Sequence, residues 1–221
     1  MSNLVDAVLF DYGGVMTGPL RASVDAWHAA DGIDPASFTR ALRNWLSRTV
    51  HWATPIHRLE TGELAPEEFE ELFAAELRTV DGGPVEPRGL LARMFEEMRP
   101  DPQMFELVEA LKRCGVRVGL LSNSWGGTSY PRPRIDELFD AVVISAEVGL
   151  RKPQAAIYHH ALDAVGVPAR RTFFVDDAEP NILGAQAVGL RALQHLDPRC
   201  TRTALGALVP DLADELQGAR A

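Results

Sequence analysis

Two kinds of hydrophobic pattern alternate along the second half of this chain. Short continuous apolar runs, bounded by Gly, Asp or Ser, predict strands that are buried on both faces of a parallel sheet. Such runs occupy residues 4–10, 116–121, 141–145, 172–175 and 190–193. Between the later runs, apolar residues recur at helical spacing and predict helices over 102–114, 153–165 and 179–188. From about residue 100 onward the pattern is typical of a doubly wound α/β sheet.

Residues 17–98 interrupt this alternation, because they show only helical patterns. Helices are predicted near residues 20–31, 36–49, 66–78 and 88–98. The segment Ala65-Pro66-Glu67-Glu68 places a proline and two acids in a first helical turn, where both are favourable. The candidates for a core within this segment are aromatic: Trp27, Trp45, Trp52, Phe69, Phe73 and Phe95.

Together these patterns predict a Rossmann-like, doubly wound parallel sheet with an inserted all-helical cap. Residues 1–16 and 99–221 would form the α/β core domain, and residues 17–98 the helical cap domain. Gly115 and Gly189 follow two of the core helices, where a left-handed residue commonly ends a helix. Pro153 stands at the expected first turn of the helix over 153–165.

The composition is that of an ordinary globular protein, with 46% hydrophobic and 24% charged residues among 221. A net charge of −9 argues against nucleic acid or an anionic membrane as a main partner. An anionic substrate would then need local positive charge from a metal, Lys, Arg or helix N-termini.

The two cysteines, Cys114 and Cys200, are too few and too far apart to predict a disulfide framework or a metal cluster. The N-terminus lacks the basic region of a signal peptide. No apolar run approaches the roughly 20 residues that span a bilayer. We therefore expect a cytoplasmic protein with reduced thiols. The pattern predicts no oligomeric state.

Four polar segments fall at the carboxyl ends of predicted strands, where open α/β sheets build their sites. They are Asp11-Tyr12-Gly13-Gly14, Ser122-Asn123-Ser124-Trp125, Arg151-Lys152-Pro153 and Asp176-Asp177. Each segment taken alone is compatible with a helix cap, a turn or a solvated surface group. Their joint chemistry favours a reaction site.

Phosphoryl transfer requires a nucleophile, a cation on the phosphate oxygens and donors to the transferring group. Asp11 can supply the nucleophile. Together with Asp176 and Asp177 it can surround a hard divalent ion, for which Mg²⁺ is the best candidate. Three carboxylates that converge on one place require such positive charge.

The phosphate itself would be held by groups from two other segments. The Ser122 hydroxyl and the Asn123 backbone N–H can donate hydrogen bonds to it. Lys152 can neutralise both the phosphate and the crowded carboxylates. These residues complete a candidate site for a small phosphorylated substrate.

The sequences FDYGGV, LLSNSW, EVGLRKP and FFVDDAEPN resemble, in order, the four motifs of the haloacid dehalogenase-like hydrolase superfamily. Within it they most resemble the N-terminal phosphatase domain of soluble epoxide hydrolases and its bacterial relatives. The resemblance covers nearly the whole chain and leaves room for the helical cap that this family inserts after its first motif.

The resemblance implies a role for each acidic residue. Asp11 would attack phosphorus and become an aspartyl phosphate. Asp11 and the backbone carbonyl of Gly13 would bind Mg²⁺, with Asp177 a direct ligand and Asp176 a direct or water-mediated one. Asn181 would either orient the fourth motif or be an ordinary residue of a first helical turn.

The resemblance also implies that Ser122, Asn123 and Lys152 hold the phosphoryl group. The chain departs from the family pattern at Gly13, where typical phosphatases carry an Asp that protonates the leaving group and then activates water. General acid–base catalysis typically contributes about 10²–10⁴-fold. Weak candidates for a replacement from the cap are His51, His57 and Glu63.

Three functions therefore stand open. The first is a Mg²⁺-dependent phosphatase, and the second is a weakly active or inactive phosphate-binding or regulatory relative. The third is a 2-haloacid dehalogenase-type hydrolase, which would not need the acidic pair of the fourth motif. Substrate specificity would come from the cap, where Arg43, Arg48, His51 and Trp52 are candidates to face the cavity.

Overall fold

A five-stranded parallel sheet forms the centre of the molecule in a computed structural model that describes residues 3–46, 54–126 and 130–218. Its strands are β1 (Ala7–Phe10), β2 (Arg117–Ser122), β3 (Ala141–Ile144), β4 (Thr172–Asp176) and β5 (Arg191–Gln194). They lie in the order β3-β2-β1-β4-β5, and every neighbouring pair is parallel. The predicted doubly wound α/β fold is confirmed.

The central strand β1 is buried on both faces of the sheet. Successive side chains point to opposite faces, so Val8 and Phe10 join one core cluster while Ala7 and Leu9 join another. A continuous apolar run suits such a strand, since neither face meets water.

Between β1 and β2, the described residues form five cap helices. They are α1 (Leu20–Asp31), α2 (Pro35–Leu46), α3 (Pro55–Glu60), α4 (Pro66–Glu76) and α5 (Leu90–Met94). α1 matches its predicted range, and α4 begins at the predicted proline. α5 is shorter than the predicted 88–98, because left-handed Gly89 (φ +69°) precedes its first turn. The short helix α3 was not predicted.

The cap has its own apolar core. Trp27, Phe69 and Phe73 are buried in it, as predicted, while Trp45 and Phe95 are partly buried against it. The rings of Phe69 and Phe73 lie 5.3 Å apart, and Trp45 packs against both. Trp52 and the end of the predicted helix 36–49 lie outside the described residues.

The chain enters and leaves the cap through two adjacent segments. Thr17 forms an isolated antiparallel bridge with Pro100, and the Asp101 N–H donates to the Met16 carbonyl. Because the two ends meet, a helical unit fits here without disturbing the strand order. The domain boundaries at 16/17 and 98/99 stay a prediction.

The remaining helices cover the two faces of the sheet. They are α6 (Pro102–Arg113), α7 (Arg132–Leu138), α8 (Ser145–Val148), α9 (Ala155–Val165), α10 (Glu179–Ala187), α11 (Pro198–Gly206) and α12 (Leu212–Gly218), with a 3₁₀ turn at Ala169–Arg171. Among the described residues, none of these helices or those of the cap is long and apolar enough to cross a membrane.

The prediction for Pro153 was wrong, because α9 begins two residues later, at Ala155. The Gln154 N–H donates to the Arg151 carbonyl, which closes a turn before the helix. The Lys152 backbone is meanwhile held by the Asn123 side chain. Tertiary contacts at the site therefore decide where this helix starts.

Candidate active site

The register of the sheet brings the first and fourth polar segments to the same edge. Phe10 of β1 pairs with Val175 of β4, so Asp11 and Asp176 follow at the same level on neighbouring strands. Ser122 ends β2 on the other side of β1. The predicted site residues thus meet because parallel strands share one carboxyl edge.

Lys152 is the central cation of this edge. Its ammonium lies 2.8 Å from Asp11 Oδ1 and 2.6 Å from Asp176 Oδ2, and it donates to the Leu121 carbonyl at 2.9 Å. The side chain is only 1% exposed. Burial by itself would lower the pKa of Lys152, but the carboxylates of Asp11 and Asp176 outweigh it and raise the pKa above its ordinary value. Lys152 is therefore charged throughout the physiological range.

The carboxyl group of Asp11 is fixed and electrostatically crowded. The backbone N–H of Tyr12 donates to Asp11 Oδ1 at 2.7 Å, on the same oxygen that contacts Lys152. The pKa of Asp11 is raised to about 7, mainly by burial; Lys152 lowers it, while the charges of Asp176 and Asp177 raise it. Without added positive charge, the site resists full ionisation of this carboxyl.

Asp11, Asp176 and Asp177 each offer a carboxylate oxygen, and these oxygens lie within 4.8 Å of one another. Burial raises the pKa of Asp177 as well, and the charge of Asp176 adds to this effect. An all-oxygen set with excess negative charge fits a hard divalent cation such as Mg²⁺. This donor set is therefore compatible with the predicted metal.

Asp176 is fully buried, and its carboxylate accepts hydrogen bonds from residues that follow it closely in the chain. The Asn181 side-chain amide lies 3.0 Å from Asp176 Oδ1 and 3.1 Å from Oδ2, and the Ala178 N–H donates to Oδ1 at 2.8 Å. The N-cap of α10 is Ala178, without a side-chain hydrogen bond, so the acidic pair does not cap this helix. Of the two readings of Asn181, the geometry favours orientation of the fourth motif.

The two glycines of the first motif meet different surroundings. A Cβ on Gly14 would lie 2.4 Å from Asp177 Oδ2, and Gly14 also has a positive φ of +75°. Only glycine allows the close approach of these two motifs. A Cβ on Gly13 would meet no atom within 4 Å, so nothing replaces the missing side chain at that point among the described residues.

The second and third motifs are joined by a reciprocal pair of hydrogen bonds. The Asn123 amide donates to the Lys152 carbonyl at 3.1 Å, and the Lys152 N–H donates to Asn123 Oδ1 at 2.9 Å. The sequence predicted a role only for the Asn123 backbone. Its side chain positions Lys152 and thereby the ammonium.

Tyr130 is a site residue that sequence reasoning missed. Its hydroxyl lies 2.9 Å from Ser122 Oγ, and its ring packs 4.8 Å from that of Tyr12. Burial raises the pKa of Tyr130 to about 12, so its hydroxyl stays protonated. No motif marks this residue, because its position depends on how the loop after β2 returns to the site.

A cavity of about 270 Å³ lies above the carboxylates. Residues of the four polar segments form its floor, and cap residues form much of its wall. Six of the wall residues are Leu20, Val24, Phe38, Leu42, Met94 and Phe95.

The predicted polar cap residues that the structure describes do not contribute to this wall. Arg43 is exposed, Glu63 is exposed, and His57 is partly buried, but none of them lines the cavity. Arg48, His51 and Trp52 lie outside the described residues. The structure therefore supports neither His57 nor Glu63 as a replacement for the missing acid.

Glu60, at the end of α3, is the acidic cap residue that does line the cavity. Its carboxylate accepts from Trp125 Nε1 at 3.1 Å and lies 2.5 Å from Arg151 Nε. Its backbone carbonyl accepts from Ser145 Oγ at 2.5 Å. Glu60 therefore ties the cap to three segments of the core beside the site. Sequence reasoning missed it, because one Glu in a short helix gives no signal.

Two curated relatives share most of their length with this chain. The chain is 28% identical to a sesquiterpene phosphatase of Aspergillus oryzae, over 95% of this chain and 99% of that protein. It is 25% identical to a phosphoglycolate phosphatase of Yersinia pseudotuberculosis, over 84% of this chain and 78% of that protein. Both are named as phosphatases, but for chemically different substrates.

Among solved structures, a HAD family enzyme of Bacteroides thetaiotaomicron, in complex with magnesium and inorganic phosphate, superposes with a TM-score of 0.61. The two proteins are 19% identical, and the match covers 86% of this chain and 93% of that one. This likeness shows the shared fold. The more particular resemblance to the epoxide hydrolase phosphatase domain stays a prediction.

A family model supplies the remaining comparison. Residues 5–189 match the model described as haloacid dehalogenase-like hydrolase, a span that includes all four polar segments of the site. The match covers far more than half of the chain and agrees with the fold and with the order of the motifs. This protein belongs to the haloacid dehalogenase-like hydrolase superfamily.

Proposed function

We propose that this protein is a Mg²⁺-dependent phosphatase that hydrolyses a small phosphate ester through an aspartyl phosphate at Asp11. The observation that carries the proposal is the convergence of Asp11 with Asp176, Asp177 and Lys152 at one edge of the sheet. Two phosphatases among the similar proteins, and a neighbouring structure that holds magnesium and phosphate, support it.

In the first step, a carboxylate oxygen of Asp11 attacks phosphorus, and the bond from phosphorus to the alcohol oxygen breaks. The departing alkoxide oxygen takes a proton from solvent water, because Gly13 has no side chain to supply one, and the phosphoryl group remains bound to Asp11 as an acyl phosphate. In the second step, water attacks phosphorus, inorganic phosphate departs, and the Asp11 carboxylate is restored.

The surrounding residues hold these groups in place. Lys152 and the Tyr12 N–H both contact Asp11 Oδ1, which fixes the carboxyl plane. Ser122 and the Asn123 backbone would donate to the phosphoryl oxygens. Asp11, the Gly13 carbonyl, Asp176 and Asp177 would hold Mg²⁺, which when bound neutralises charge on the phosphate and favours ionised Asp11.

A single comparison tests this proposal. Wild-type protein is expected to hydrolyse p-nitrophenyl phosphate with Mg²⁺, and Asp11→Asn to abolish turnover. Asp6→Asn, at an exposed Asp just before β1, is the matched control and is expected to retain activity. Equal activity in Asp11→Asn and wild type would refute the proposal.

A second candidate function follows from Gly13. Without a side chain at this position the protein lacks the usual proton donor, so it can bind phosphate while turning it over slowly or not at all. This function is favoured if folded wild-type protein binds Mg²⁺ and inorganic phosphate but shows no turnover above the Asp11→Asn background.

A further inference from the structure

The walls of the active-site cavity are apolar wherever the described cap residues form them, with the exception of Glu60. Leu20 and Val24 from α1, Phe38 and Leu42 from α2, and Met94 at the end of α5 contribute aliphatic and aromatic surface. Trp125 adds a further ring from the core side. Only the floor, where the phosphate would lie, is densely polar.

No described residue of this cavity offers free positive charge to a second anionic group. Lys152 is the one cation among the described lining residues, and it already contacts two carboxylates. Glu60 is negative, and its carboxylate is already engaged by Trp125 and Arg151. Among the described residues, a carboxylate on the substrate's alcohol portion would therefore find no cationic partner and would lie in the same cavity as Glu60, which is costly.

The rim of the cavity carries two exposed apolar side chains. Leu20 is 42% exposed and Leu46 is 46% exposed, and both line the cavity. An apolar group that occupied the cavity would remove this surface from water. Met94 and Met98 add flexible side chains that adapt to the shape of such a group.

We propose that the substrate is a phosphate monoester of an apolar alcohol, with an aliphatic chain that lies against the cap. This inference rests on the proposed function, because it assigns the phosphate to the floor of the same site. The apolar chain would be recognised by burial, whereas the phosphate would be recognised by charge. Small esters with a second charged group would be poor substrates.

A chain-length series tests the proposal. The kcat/KM for n-alkyl phosphates from ethyl to octyl, measured below the concentrations at which they form micelles, is expected to rise about threefold to fourfold for each methylene that is buried. Phosphoglycolate and phosphoserine are expected to be at least tenfold poorer than hexyl phosphate. A flat series, or a preference for the charged esters, would overturn the inference.

A pair of matched variants locates the chain in the cavity. Leu20→Asp puts a charge on the rim, and Leu72→Asp makes the same change at a residue of α4 that is 41% exposed and does not line the cavity. We expect Leu20→Asp to lower the ratio of kcat/KM for octyl phosphate to that for ethyl phosphate about fivefold, and Leu72→Asp to leave this ratio unchanged. Equal effects of the two variants on octyl phosphate would count against the assigned position.

Binding of alkylphosphonates, which cannot be hydrolysed, separates this inference from the proposed function. Calorimetric titration of wild-type protein in Mg²⁺ is expected to show tighter binding of octylphosphonate than of butylphosphonate, with a negative heat-capacity change. That result without turnover of any ester would refute the phosphatase and retain the apolar site. Turnover of p-nitrophenyl phosphate with equal binding of both phosphonates would refute the apolar site alone.

Discussion

The ammonium of Lys152 lies 2.8 Å from Oδ1 of Asp11, and both groups are buried beneath the cap. One cation here faces three carboxylates, since Asp176 and Asp177 lie beside them. The cluster therefore carries excess negative charge when fully ionised. Burial is the main cause of the raised pKa of Asp11, and the charges of Asp176 and Asp177 add to it. The excess negative charge also suits the site to a divalent cation.

Removing this cation is expected to destabilise the fold. Lys152→Met leaves Asp11 and Asp176 buried without their partner, and breaking such pairs costs about 3–5 kcal/mol. Lys112→Met is the control, because Lys112 pairs with Asp140 near the surface. Breaking such a pair lowers the free energy of unfolding by about 1 kcal/mol or less. Urea denaturation in the absence of metal measures both. Similar losses in the two variants would contradict the central role of Lys152.

The raised pKa of Asp11 predicts a pH dependence of stability in the metal-free protein. Because the folded pKa, about 7, exceeds the ordinary 3.8, the folded state holds the proton more tightly. The associated stability is fully present below about pH 4 and is lost as the pH rises through about 7.

The variant Asp11→Asn cannot titrate at position 11. Comparing it with wild type therefore separates the contribution of Asp11 from those of the other titrating groups. We expect the free energy of unfolding of the variant, relative to wild type, to increase from pH 4 to pH 7 with EDTA present. Denaturation curves across this range give the difference. If this difference in the free energy of unfolding stayed constant or declined with pH, ionisation of Asp11 would not destabilise the folded protein.

Restoring an acid at position 13 is expected to raise turnover of esters with poor leaving groups. A Cβ at Gly13 meets nothing within 4 Å, so a side chain fits without displacing its neighbours. Gly13→Asp should raise kcat for alkyl phosphates about 100-fold, the lower end of the usual range for general acid–base catalysis. Gly13→Asn is the control of equal shape, and an equal gain in that variant would rule out proton transfer as the cause.

The neighbouring glycine is expected to behave in the opposite way. Gly14→Ala places a Cβ 2.4 Å from Asp177 Oδ2 and strains a residue with positive φ. We expect Mg²⁺ affinity to fall at least tenfold, because Asp177 must move. Gly13→Ala is the control and should retain metal binding. Calorimetric titration with Mg²⁺ compares the two, and unchanged affinity in Gly14→Ala would exclude Asp177 as a ligand.

The contact between cap and core at Glu60 predicts an effect on the stability of the cap. Glu60→Gln preserves the shape of the side chain but leaves Arg151, which is 14% exposed, without its anion. We expect the free energy of unfolding to fall by roughly 2–3 kcal/mol and the amide hydrogens of α3 to exchange faster. Glu147→Gln, which breaks an exposed pair with Arg132, should cost about 1 kcal/mol or less. Unchanged exchange in α3 would show that Glu60 does not anchor the cap.

Several helices escaped prediction for a physical reason. α3, α7 and α8 are four to seven residues long, and such helices are not stable by themselves, so their formation depends on tertiary contacts. α11 was detectable, since Asp197 caps its first turn and Pro198 occupies its first position. Sequence reasoning overlooked that signal.

Local sequence pattern was sufficient to predict the fold class and the main carboxylates of the candidate site. Short continuous apolar runs that alternate with helical patterns suit strands covered on both faces, and an Asp that directly follows such a strand lies at its carboxyl edge. Asp11 and Asp176 were predictable for this reason, because local pattern fixes their place relative to their own strands.

The surroundings of those carboxylates depend on tertiary contacts that the sequence pattern does not reveal. Tyr130 beside Ser122, Glu60 beside Arg151 and the apolar cap wall all join residues far apart along the chain. The sequence shows that Leu20 is an apolar residue of a helix, but it does not show whether its side chain faces the cap core or the cavity. That choice depends on how the cap packs over the sheet, and packing between distant segments leaves no local signal in the sequence.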